Sequence, residues 1–266
     1  MKTNIFAISI IVFIKIMTVY CFGWAPSHVG ICQSPIDIRP ETCIREHPST
    51  LELQNFDVQP NSMLVENNGY TVQFSFEFGQ NAPYINTQMQ NALKVYKLAQ
   101  LHFHIGDDDY EGSEHTIDEM YYSFEIHLVF FNSAYHDATA ATSFHDGLLV
   151  LSILFLHSDY AQNLPFTEYL HNAKYSGEKY FVANNLLHHR LIDFIRYENF
   201  QYVRYAGSLT TPSYAETVTW FVSTDIRFIN EMDLRIIRGI EGDAGLIAGN
   251  MRPVQPNNGR KCYKNY

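Results

Sequence analysis

Residues 100–106 read Gln-Leu-His-Phe-His-Ile-Gly, and residues 124–129 read Phe-Glu-Ile-His-Leu-Val. On a β-strand, side chains two positions apart leave the same face, so His102 and His104 point to one side. If the second segment lies beside the first, His127 completes a cluster of three imidazoles. Three nitrogen ligands leave a fourth tetrahedral position open, which is the arrangement of catalytic zinc sites.

Two polar residues accompany these histidines on the same strand faces. Gln100 shares a face with His102 and His104, and Glu125 shares one with His127. Imidazoles that bind a metal need an acceptor on their other nitrogen, so both residues are candidates to orient them. Histidine pairs are also common on polar strand surfaces, and carboxylates are common on exposed edge strands. The pattern alone leaves those alternatives open.

The composition is that of a folded protein with a large core. The 266 residues are 46% hydrophobic and 15% aromatic, with 18 basic and 28 acidic residues and a formal net charge of −10. This charge is unfavourable for binding a phosphate backbone, so we expect no nucleic-acid partner. The densest charge run, three aspartates at residues 107–109, lacks the spacing of a calcium loop and predicts a solvated turn.

The N-terminus has the features of a secretory signal peptide. Lys2 precedes an apolar stretch at residues 5–20. A membrane anchor is the alternative, but the stretch is shorter than the roughly 20 residues of a spanning helix, and Lys15 interrupts it. No repeat or linker divides the remainder. We predict a leader at residues 1–21, one domain at residues 22–266, and a secreted, extracellular product without a membrane anchor.

The cysteines are few and widely spaced. Cleavage of the leader would leave Cys32, Cys43 and Cys262 in an oxidising compartment, where disulfides persist. Because three is an odd number, one thiol stays free, pairs between chains, or pairs with Cys21 if cleavage occurs upstream of it. No Cys-x-x-Cys is present, which argues against a thiolate metal site or a redox motif.

Most of the domain has the pattern of short strands. Four segments have strand-like alternation or composition: residues 70–76, 98–105, 121–131 and 218–223. The nearly continuous apolar run at residues 147–156 is typical of a central strand covered on both faces. The best helical patterns are short, at residues 186–197 and 223–235. The sequence predicts a mainly β (α+β) fold with a large central sheet and short peripheral helices.

Seven distinctive strings follow one another along the chain. They are Gln-Ser-Pro-Ile-Asp-Ile at 33–38, Gln-Leu-His-Phe-His-Ile-Gly at 100–106, Ser-Glu-His-Thr-Ile-Asp at 113–118, Glu-Ile-His-Leu-Val at 125–129, Gly-Ser-Leu-Thr-Thr-Pro at 207–212, Glu-Thr-Val-Thr-Trp at 216–220 and Asn-Met-Arg-Pro-Val-Gln-Pro at 250–256. In order and spacing they closely resemble the alpha-class carbonic anhydrases of the secreted type. The resemblance implies a single domain around a ten-stranded, mostly antiparallel twisted sheet, with a metal at the bottom of a conical cleft.

The resemblance also implies a zinc enzyme that hydrates CO2 reversibly to bicarbonate and a proton. The implied Zn²⁺ ligands are His102, His104 and His127. The implied partners of their outer nitrogens are Gln100, Glu125 and the backbone carbonyl of Asn250. Thr210 matches the threonine that accepts a hydrogen bond from zinc-bound hydroxide and donates one to Glu114, and Thr211 matches a residue that contacts bicarbonate. The implied CO2-binding wall consists of Val129, Val150, Leu209, Val218 and Trp220, which from the residues alone are ordinary core.

The chain departs from the family pattern at the proton-transfer position. The fastest members carry a histidine there, after an Asn-Asn-Gly string, whereas this chain carries Tyr70. A phenol with a pKa of about 10 relays protons poorly at neutral pH, while an imidazole with a pKa of about 6.5 is well matched. We therefore expect slower proton export that depends more strongly on external buffer.

The resemblance also bears on the disulfides. Secreted relatives often link a cysteine just before Gln-Ser-Pro to one just after Thr-Thr-Pro. Cys32 lies near the first position, but Tyr214 occupies the second, so that bridge cannot form. In the family fold the strand after Gln-Ser-Pro lies near the C-terminal strand, which makes a bridge between Cys43 and Cys262 the alternative.

Two other functions remain open from the sequence. The first is a secreted carbonic anhydrase-like binding or matrix protein with little catalytic activity. Inactive relatives typically lack one or more of the three histidines, and here all three are present with Glu114 and Thr210. The second is a zinc hydrolase acting on esters or peptides, although no His-Glu-x-x-His motif is present. From the resemblance, sulfonamide-type and anion inhibitors are expected.

Overall fold

A computed structural model describes residues 30–46, 51–89, 92–195 and 200–266. The predicted leader at residues 1–21 lies outside the described residues. Within the described ranges, no helix combines the length and the apolar character needed to cross a membrane.

The described chain forms short strands and a few short helices. The strands are β1 (Asp37–Ile38), β2 (Ile44–Arg45), β3 (Leu51–Gln54), β4 (Ser62–Asn67), β5 (Val72–Glu77), β6 (Tyr84–Met89), β7 (Ala92–Ile105), β8 (Thr116–Ile117), β9 (Phe124–Asn132), β10 (Leu148–His157), β11 (Lys179–Ala183), β12 (Tyr202–Gly207), β13 (Val218–Ser223), β14 (Arg227–Ile229), β15 (Glu241–Gly242), β16 (Gly245–Leu246) and β17 (Cys262–Lys264). The α-helices are α1 (Ala138–Ala141) and α2 (Glu231–Arg238), and 3₁₀ turns occur at Pro40–Thr42, Thr167–Asn172, Asn184–Leu186 and Leu191–Phe194.

Ten strands form one continuous path across the main sheet, in the order β11-β4-β5-β7-β9-β10-β13-β12-β17-β2. With β3, β6 and β14 at its side, the sheet has 13 strands among the described residues. Neighbours on the path are antiparallel except for β10–β13 and β17–β2, which are parallel. The predicted mainly β fold with a large, mostly antiparallel sheet and short helices is confirmed, while the sheet has 13 strands where ten were predicted, because β3, β6 and β14 pair outside the ten-strand path.

The central strand β10 confirms the prediction made from the apolar run at residues 147–156. Leu149 and Leu151 pack into one hydrophobic cluster, and Leu148 and Val150, on the opposite face, pack into another. A strand covered on both faces has no side that favours polar residues, because an unpaired polar group buried there costs free energy. The strands predicted at residues 70–76, 98–105, 121–131 and 218–223 correspond to β5, β7, β9 and β13.

The prediction of a helix at residues 186–197 is wrong for residues 186–195, the part that the structure describes. There the chain makes 3₁₀ turns at Asn184–Leu186 and Leu191–Phe194, separated by extended backbone at Arg190. Leu187 and Leu191 are each 1% exposed and Phe194 is 2% exposed. The apolar spacing that suggested a helix therefore comes from separate turns, each anchored in the core.

The helix predicted at residues 223–235 is wrong in its first half. That part contains β14, which pairs in parallel with β10. The helix itself is α2, and Asn230 caps its N-terminus because Asn230 Oδ1 accepts a hydrogen bond from Asp233 N at 2.8 Å. A distant strand partner therefore overrides the local helical pattern.

A disulfide fastens the C-terminal strand to the edge of the sheet. It joins Cys43, just before β2, to Cys262 at the start of β17, and the two Cα atoms are 4.8 Å apart. The pairing of β17 with β2 brings the two cysteines together. The Cys43–Cys262 alternative is confirmed. Cys32 is also disulfide-bonded, and none of the described cysteines is free.

Candidate metal centre

Strand register brings the three predicted histidines together. His102 on β7 pairs directly with His127 on β9, and His104 pairs with Glu125 two positions along. Since alternate residues share a face, the three rings lie on one side of the sheet. His104 Nε2 lies 3.2 Å from His127 Nδ1, and one nitrogen of each ring lies within 4.8 Å of the others.

The outer nitrogens of the two β7 histidines are each held by an acceptor. His102 Nδ1 donates to Gln100 Oε1 at 2.9 Å, and His104 Nδ1 donates to the carbonyl oxygen of Asn250 at 3.1 Å. Because these oxygens only accept, the ring proton stays on Nδ1 and Nε2 presents a lone pair. Both partners are those predicted.

Glu125 holds His127 in the same way and is the centre of a buried network. His127 Nε2 donates to Glu125 Oε1 at 2.7 Å, which leaves His127 Nδ1 with a lone pair. The carboxylate also accepts from His115 Nδ1 and Ser152 Oγ at 2.7 Å, and from the backbone N–H groups of Glu114 and His115 at 2.8 Å. Burial by itself raises the pKa of Glu125, but interactions with His115 and His127 hold that pKa well below its usual range. The carboxylate is therefore ionised.

All three rings of the cluster are neutral. Burial is the main cause that lowers the pKa of His102 well below its usual range, the pKa of His104 to about 4, and the pKa of His127. Neutral imidazole is the form that binds metals. Nitrogens bound tetrahedrally to zinc at about 2.0–2.1 Å lie roughly 3.3 Å apart, close to the 3.2 Å between His104 Nε2 and His127 Nδ1. The three converging lone pairs fit a zinc ion.

Sequence reasoning missed part of the network behind the cluster, namely His115, Ser152 and Tyr205. His115 Nε2 lies 2.7 Å from the Tyr205 hydroxyl, which donates to Ser34 Oγ at 2.9 Å. Two signals were present: His115 adjoins Glu114 in a distinctive string, and Ser152 is the polar residue in the apolar run of β10. Tyr205 left no local signal, because its role depends on distant partners.

Glu114 and Thr210 lie beside the histidine cluster. Glu114 Oε1 accepts a hydrogen bond from Arg252 N at 2.9 Å, and Glu114 Oε2 lies 3.4 Å from His104 Nε2. Among the described residues, Glu114 Oε2 has no hydrogen-bond partner of standard geometry. Burial raises the pKa of Glu114 to about 7, and the nearby Thr210 hydroxyl is one of the groups that lower it. A buried acceptor thus faces the cluster and needs a donor or a cation.

Four of the five predicted wall residues belong to one hydrophobic cluster, and the fifth, Leu209, packs against it. Val129, Val150 and Trp220 form a row through the pairing of β9 with β10 and of β10 with β13. Val218 lies two positions before Trp220 on β13, and Leu209 packs against the same cluster. Val129, the first residue of this row, lies two positions after His127 on β9. An apolar surface therefore adjoins the candidate metal centre.

Tyr70 and Thr211 lie at the surface. The Tyr70 side chain is 72% exposed, and its carbonyl oxygen accepts a hydrogen bond from Asn250 Nδ2 at 3.0 Å. The backbone carbonyl of Asn250 also accepts a hydrogen bond from His104 Nδ1. Asn250 therefore links the Tyr70 backbone to the three-histidine cluster. Thr211 is exposed, and its carbonyl oxygen accepts a hydrogen bond from Tyr214 N at 2.8 Å.

Comparison with known proteins decides the family. A family model described as eukaryotic-type carbonic anhydrase matches residues 23–266. The chain belongs to the carbonic anhydrase family. Carbonic anhydrase 6 of Bos taurus is 33% identical over 250 residues, which cover 91% of this chain and 75% of that protein. Carbonic anhydrase 1 of Mus musculus is 33% identical over 249 residues, which cover 87% of this chain and 88% of that protein.

As an alpha-class carbonic anhydrase, this protein is a carbonate dehydratase, a lyase whose reaction is CO2 hydration. Its substrate is a small molecule, and the family is inhibited by sulfonamides. The family is zinc-dependent in general. The cluster of His102, His104 and His127 is the candidate site for that ion, since it offers three neutral imidazoles with oriented lone pairs.

Proposed function

We propose that this protein is a secreted zinc enzyme that hydrates CO2 reversibly to bicarbonate and a proton, with His102, His104 and His127 holding the ion. The observation that carries the proposal is the convergence of three imidazole lone pairs, each oriented by an acceptor on the outer nitrogen of its ring. Zinc held in this way supplies a nucleophile near neutral pH by lowering the pKa of a coordinated water to about 7, a value for which carbonic anhydrase is itself the standard example.

The protein contributes rigidity around the ion. Gln100, Glu125 and the Asn250 carbonyl keep the rings in one tautomer and one orientation, which also raises the basicity of the ligating nitrogens. The ionised Glu125 places a negative charge behind His127 and partly offsets the positive charge of the ion. Rings that are already ordered lose little entropy when the metal binds.

Glu114 and Thr210 set the direction of the nucleophile. In this proposal the Thr210 hydroxyl donates its hydrogen to the Glu114 carboxylate, so Thr210 Oγ1 acts only as an acceptor towards the attacking water or hydroxide. A nucleophile that donates to Thr210 keeps a lone pair directed at the carbon of CO2, which is a positioning effect. Thr211 contacts the bicarbonate product. CO2 rests against the apolar wall of Val129, Val150, Leu209, Val218 and Trp220.

Stopped-flow CO2 hydration, with zinc content measured on the same purified sample, tests the proposal. We expect rapid hydration with one zinc per chain, loss of the rate after chelation, and recovery when Zn²⁺ is returned. A protein with one zinc per chain and no hydration would instead be a binding or matrix protein with the same fold.

Tyr70 leads to a prediction about proton export. We expect Tyr70→His to raise turnover in weak buffer by up to about 100-fold, the lower end of what a positioned acid–base group contributes. The side chain is 72% exposed, so the substitution leaves the packing intact. The measurement is stopped-flow hydration at low and high buffer concentration, with Tyr70→Phe as the matched control. Equal rates of all three proteins in weak buffer would contradict the prediction.

Secretion is supported by two features. The N-terminal pattern at residues 1–21 is that of a signal peptide, and the described domain contains the Cys43–Cys262 disulfide. Disulfides of this kind persist in oxidising compartments. N-terminal sequencing of protein exported from secretory cells tests the boundary at residue 22. A product that retains the leader would overturn the proposal.

A further inference from the structure

Arg252 lies where three distant segments of the chain meet. Its backbone N–H donates a hydrogen bond to Glu114 Oε1 at 2.9 Å. Its guanidinium group donates from Nη1 to Gln33 Oε1 at 2.9 Å and to the carbonyl oxygen of Ser34 at 2.7 Å. The guanidinium carbon also lies 4.0 Å from the centre of the Tyr214 ring. One residue therefore connects Glu114 to two segments that are far away in sequence.

The contact between Arg252 and Tyr214 is a cation–π interaction. A guanidinium group within about 6 Å of an aromatic centroid is attracted by the negative face of the ring. Both residues are partly buried, which reduces the competition from water. The hydrogen bonds to Gln33 and Ser34 both use Nη1, so they hold the guanidinium group at one edge, while the aromatic ring supports its face. Together these contacts hold the group in one orientation.

Gln33 connects the same two residues a second time. Gln33 Oε1 accepts from Arg252, while Gln33 Nε2 donates to the carbonyl oxygen of Tyr214 at 3.2 Å and to Glu216 Oε1 at 2.9 Å. Gln33 is 5% exposed, and a buried amide that loses its partners costs free energy. Tyr214 is therefore tied to Arg252 directly through its aromatic ring and, by way of Gln33, through its backbone.

The backbone of Tyr214 is in an unusual conformation. Its φ angle is +57°, in the left-handed region that bulky residues rarely adopt. Such a conformation persists where the surrounding contacts hold it. Tyr214 N donates to the carbonyl oxygen of Thr211 at 2.8 Å, and the next carbonyl, that of Ala215, accepts from Leu209 N at 2.9 Å. These bonds lie on either side of Thr210, so the position of Tyr214 is coupled to that of Thr210.

The backbone of Arg252 fixes the direction of the Glu114 carboxylate. Glu114 is 1% exposed, and its Oε1 accepts from the Arg252 N–H. Its Oε2 lies 3.4 Å from His104 Nε2 and has no hydrogen-bond partner of standard geometry among the described residues. A shift of Arg252 therefore turns Oε2 relative to the histidine cluster. In the proposed function Glu114 accepts the hydrogen of Thr210, so this change of direction reaches the nucleophile.

We propose that Tyr214 and Arg252 are positioning residues for CO2 hydration, which act through Glu114 and Thr210. The ring of Tyr214 holds the guanidinium group, and the guanidinium group holds the backbone N–H of Arg252. This N–H in turn keeps Glu114 Oε2 directed towards the histidine cluster. Neither Tyr214 nor Arg252 touches the substrate. The inference rests on the proposed function of Glu114 and Thr210, but the contact itself can be tested without measuring activity.

Hydrogen exchange of the Arg252 backbone amide, followed by NMR on the purified protein, tests the contact. Tyr214→Leu removes the aromatic face and should raise the exchange rate of this amide by about 10-fold, as expected for loss of a partly buried cation–π contact. Tyr214→Phe keeps the ring and should exchange like the wild type. Amides of the central strands β9 and β10 should not change in either variant, which checks that the sheet is intact.

Stopped-flow CO2 hydration on the same zinc-loaded samples tests the consequence for the site. In Tyr214→Leu, kcat/KM at high buffer concentration should fall by about 10-fold, because a misdirected nucleophile attacks CO2 less often. Turnover in weak buffer, which slow proton export is expected to limit, should stay nearly unchanged. A smaller amount of folded enzyme would lower both quantities by one factor, so this split separates positioning from a loss of structure. Tyr214→Phe should retain the wild-type kcat/KM.

Tyr263→Leu is the matched control. The guanidinium carbon of Arg204 lies 4.3 Å from the centre of the Tyr263 ring, and the two residues are paired between β12 and β17. This variant removes the same kind of contact and should leave both the exchange of the Arg252 amide and kcat/KM at their wild-type values.

Three outcomes would overturn the inference: unchanged exchange of the Arg252 amide in Tyr214→Leu, an unchanged kcat/KM in that variant, or an equal loss of kcat/KM in Tyr263→Leu. Absence of hydration by the wild-type protein would overturn the proposed function instead. The exchange rates would then still decide whether the Tyr214 ring holds the Arg252 N–H.

Discussion

Replacing His104 with alanine is expected to release zinc and to lower the rate of CO2 hydration by at least about 1000-fold. His104 Nε2 is one of three nitrogens that converge on the candidate centre, and its ring is fixed by the Asn250 carbonyl. With two ligands left, the ion is no longer held in a fixed geometry, and the nucleophile that it supplies near neutral pH is lost. Zinc analysis by emission spectroscopy and stopped-flow hydration on one sample measure both effects.

His136→Ala is the control for this substitution. The His136 side chain is 91% exposed and lies on the surface beside Asp137. This variant should keep one zinc per chain and the full rate. Circular dichroism of His104→Ala checks that the sheet is intact. An intact His104→Ala protein that kept stoichiometric zinc and full activity would remove His104 from the proposed centre.

Replacing Glu125 with alanine is expected to reduce the free energy of unfolding of the metal-free protein by about 3–5 kcal/mol, as for other buried ionic groups that lose a partner. The Glu125 carboxylate accepts hydrogen bonds from His127, His115 and Ser152 and from two backbone N–H groups, and it is fully buried. Alanine leaves these donors unsatisfied and opens a cavity. Urea unfolding of the metal-free protein measures the loss without a contribution from bound zinc.

Two variants calibrate the Glu125 result. Glu125→Gln keeps the volume but turns an NH₂ group toward donors, so its loss should be smaller, about 1–3 kcal/mol. Glu119→Ala removes a carboxylate that pairs with Arg39 at the surface, where the Glu119 side chain is 77% exposed, and should change stability by no more than about 1 kcal/mol. A loss for Glu125→Ala no larger than that for Glu119→Ala would show that the buried network contributes little.

Long-range pairing explains where prediction from sequence succeeded and where it failed. The runs that became β10 and β13 were predicted nearly to the residue, because apolar residues over a whole strand leave few alternatives. The helix predicted at residues 223–235 was wrong in its first half because that part pairs with β10, a partner some seventy positions away in sequence, while α2 begins within the predicted range. Helical spacing in so short a segment is weak against hydrogen bonds to a neighbouring strand.

The sequence by itself indicated the family, and it predicted the three candidate ligands and two candidate orienting partners. Gln100 and Glu125 could be recognised because each lies two positions from a histidine on the same strand, and the period of a strand is a local property. The bridge between Cys43 and Cys262 and the role of Asn250 were implied by resemblance to the family.

Only the tertiary structure decided which groups meet. The β7–β9 register placed His102 against His127, a loop brought Asn250 to His104, and the position of β12 in the sheet brought Tyr205 to His115. The buried network around Glu125 likewise depends on segments far apart in sequence. No local pattern encodes such contacts, because they arise when strands pair and side chains pack, and each depends on the register of the whole sheet.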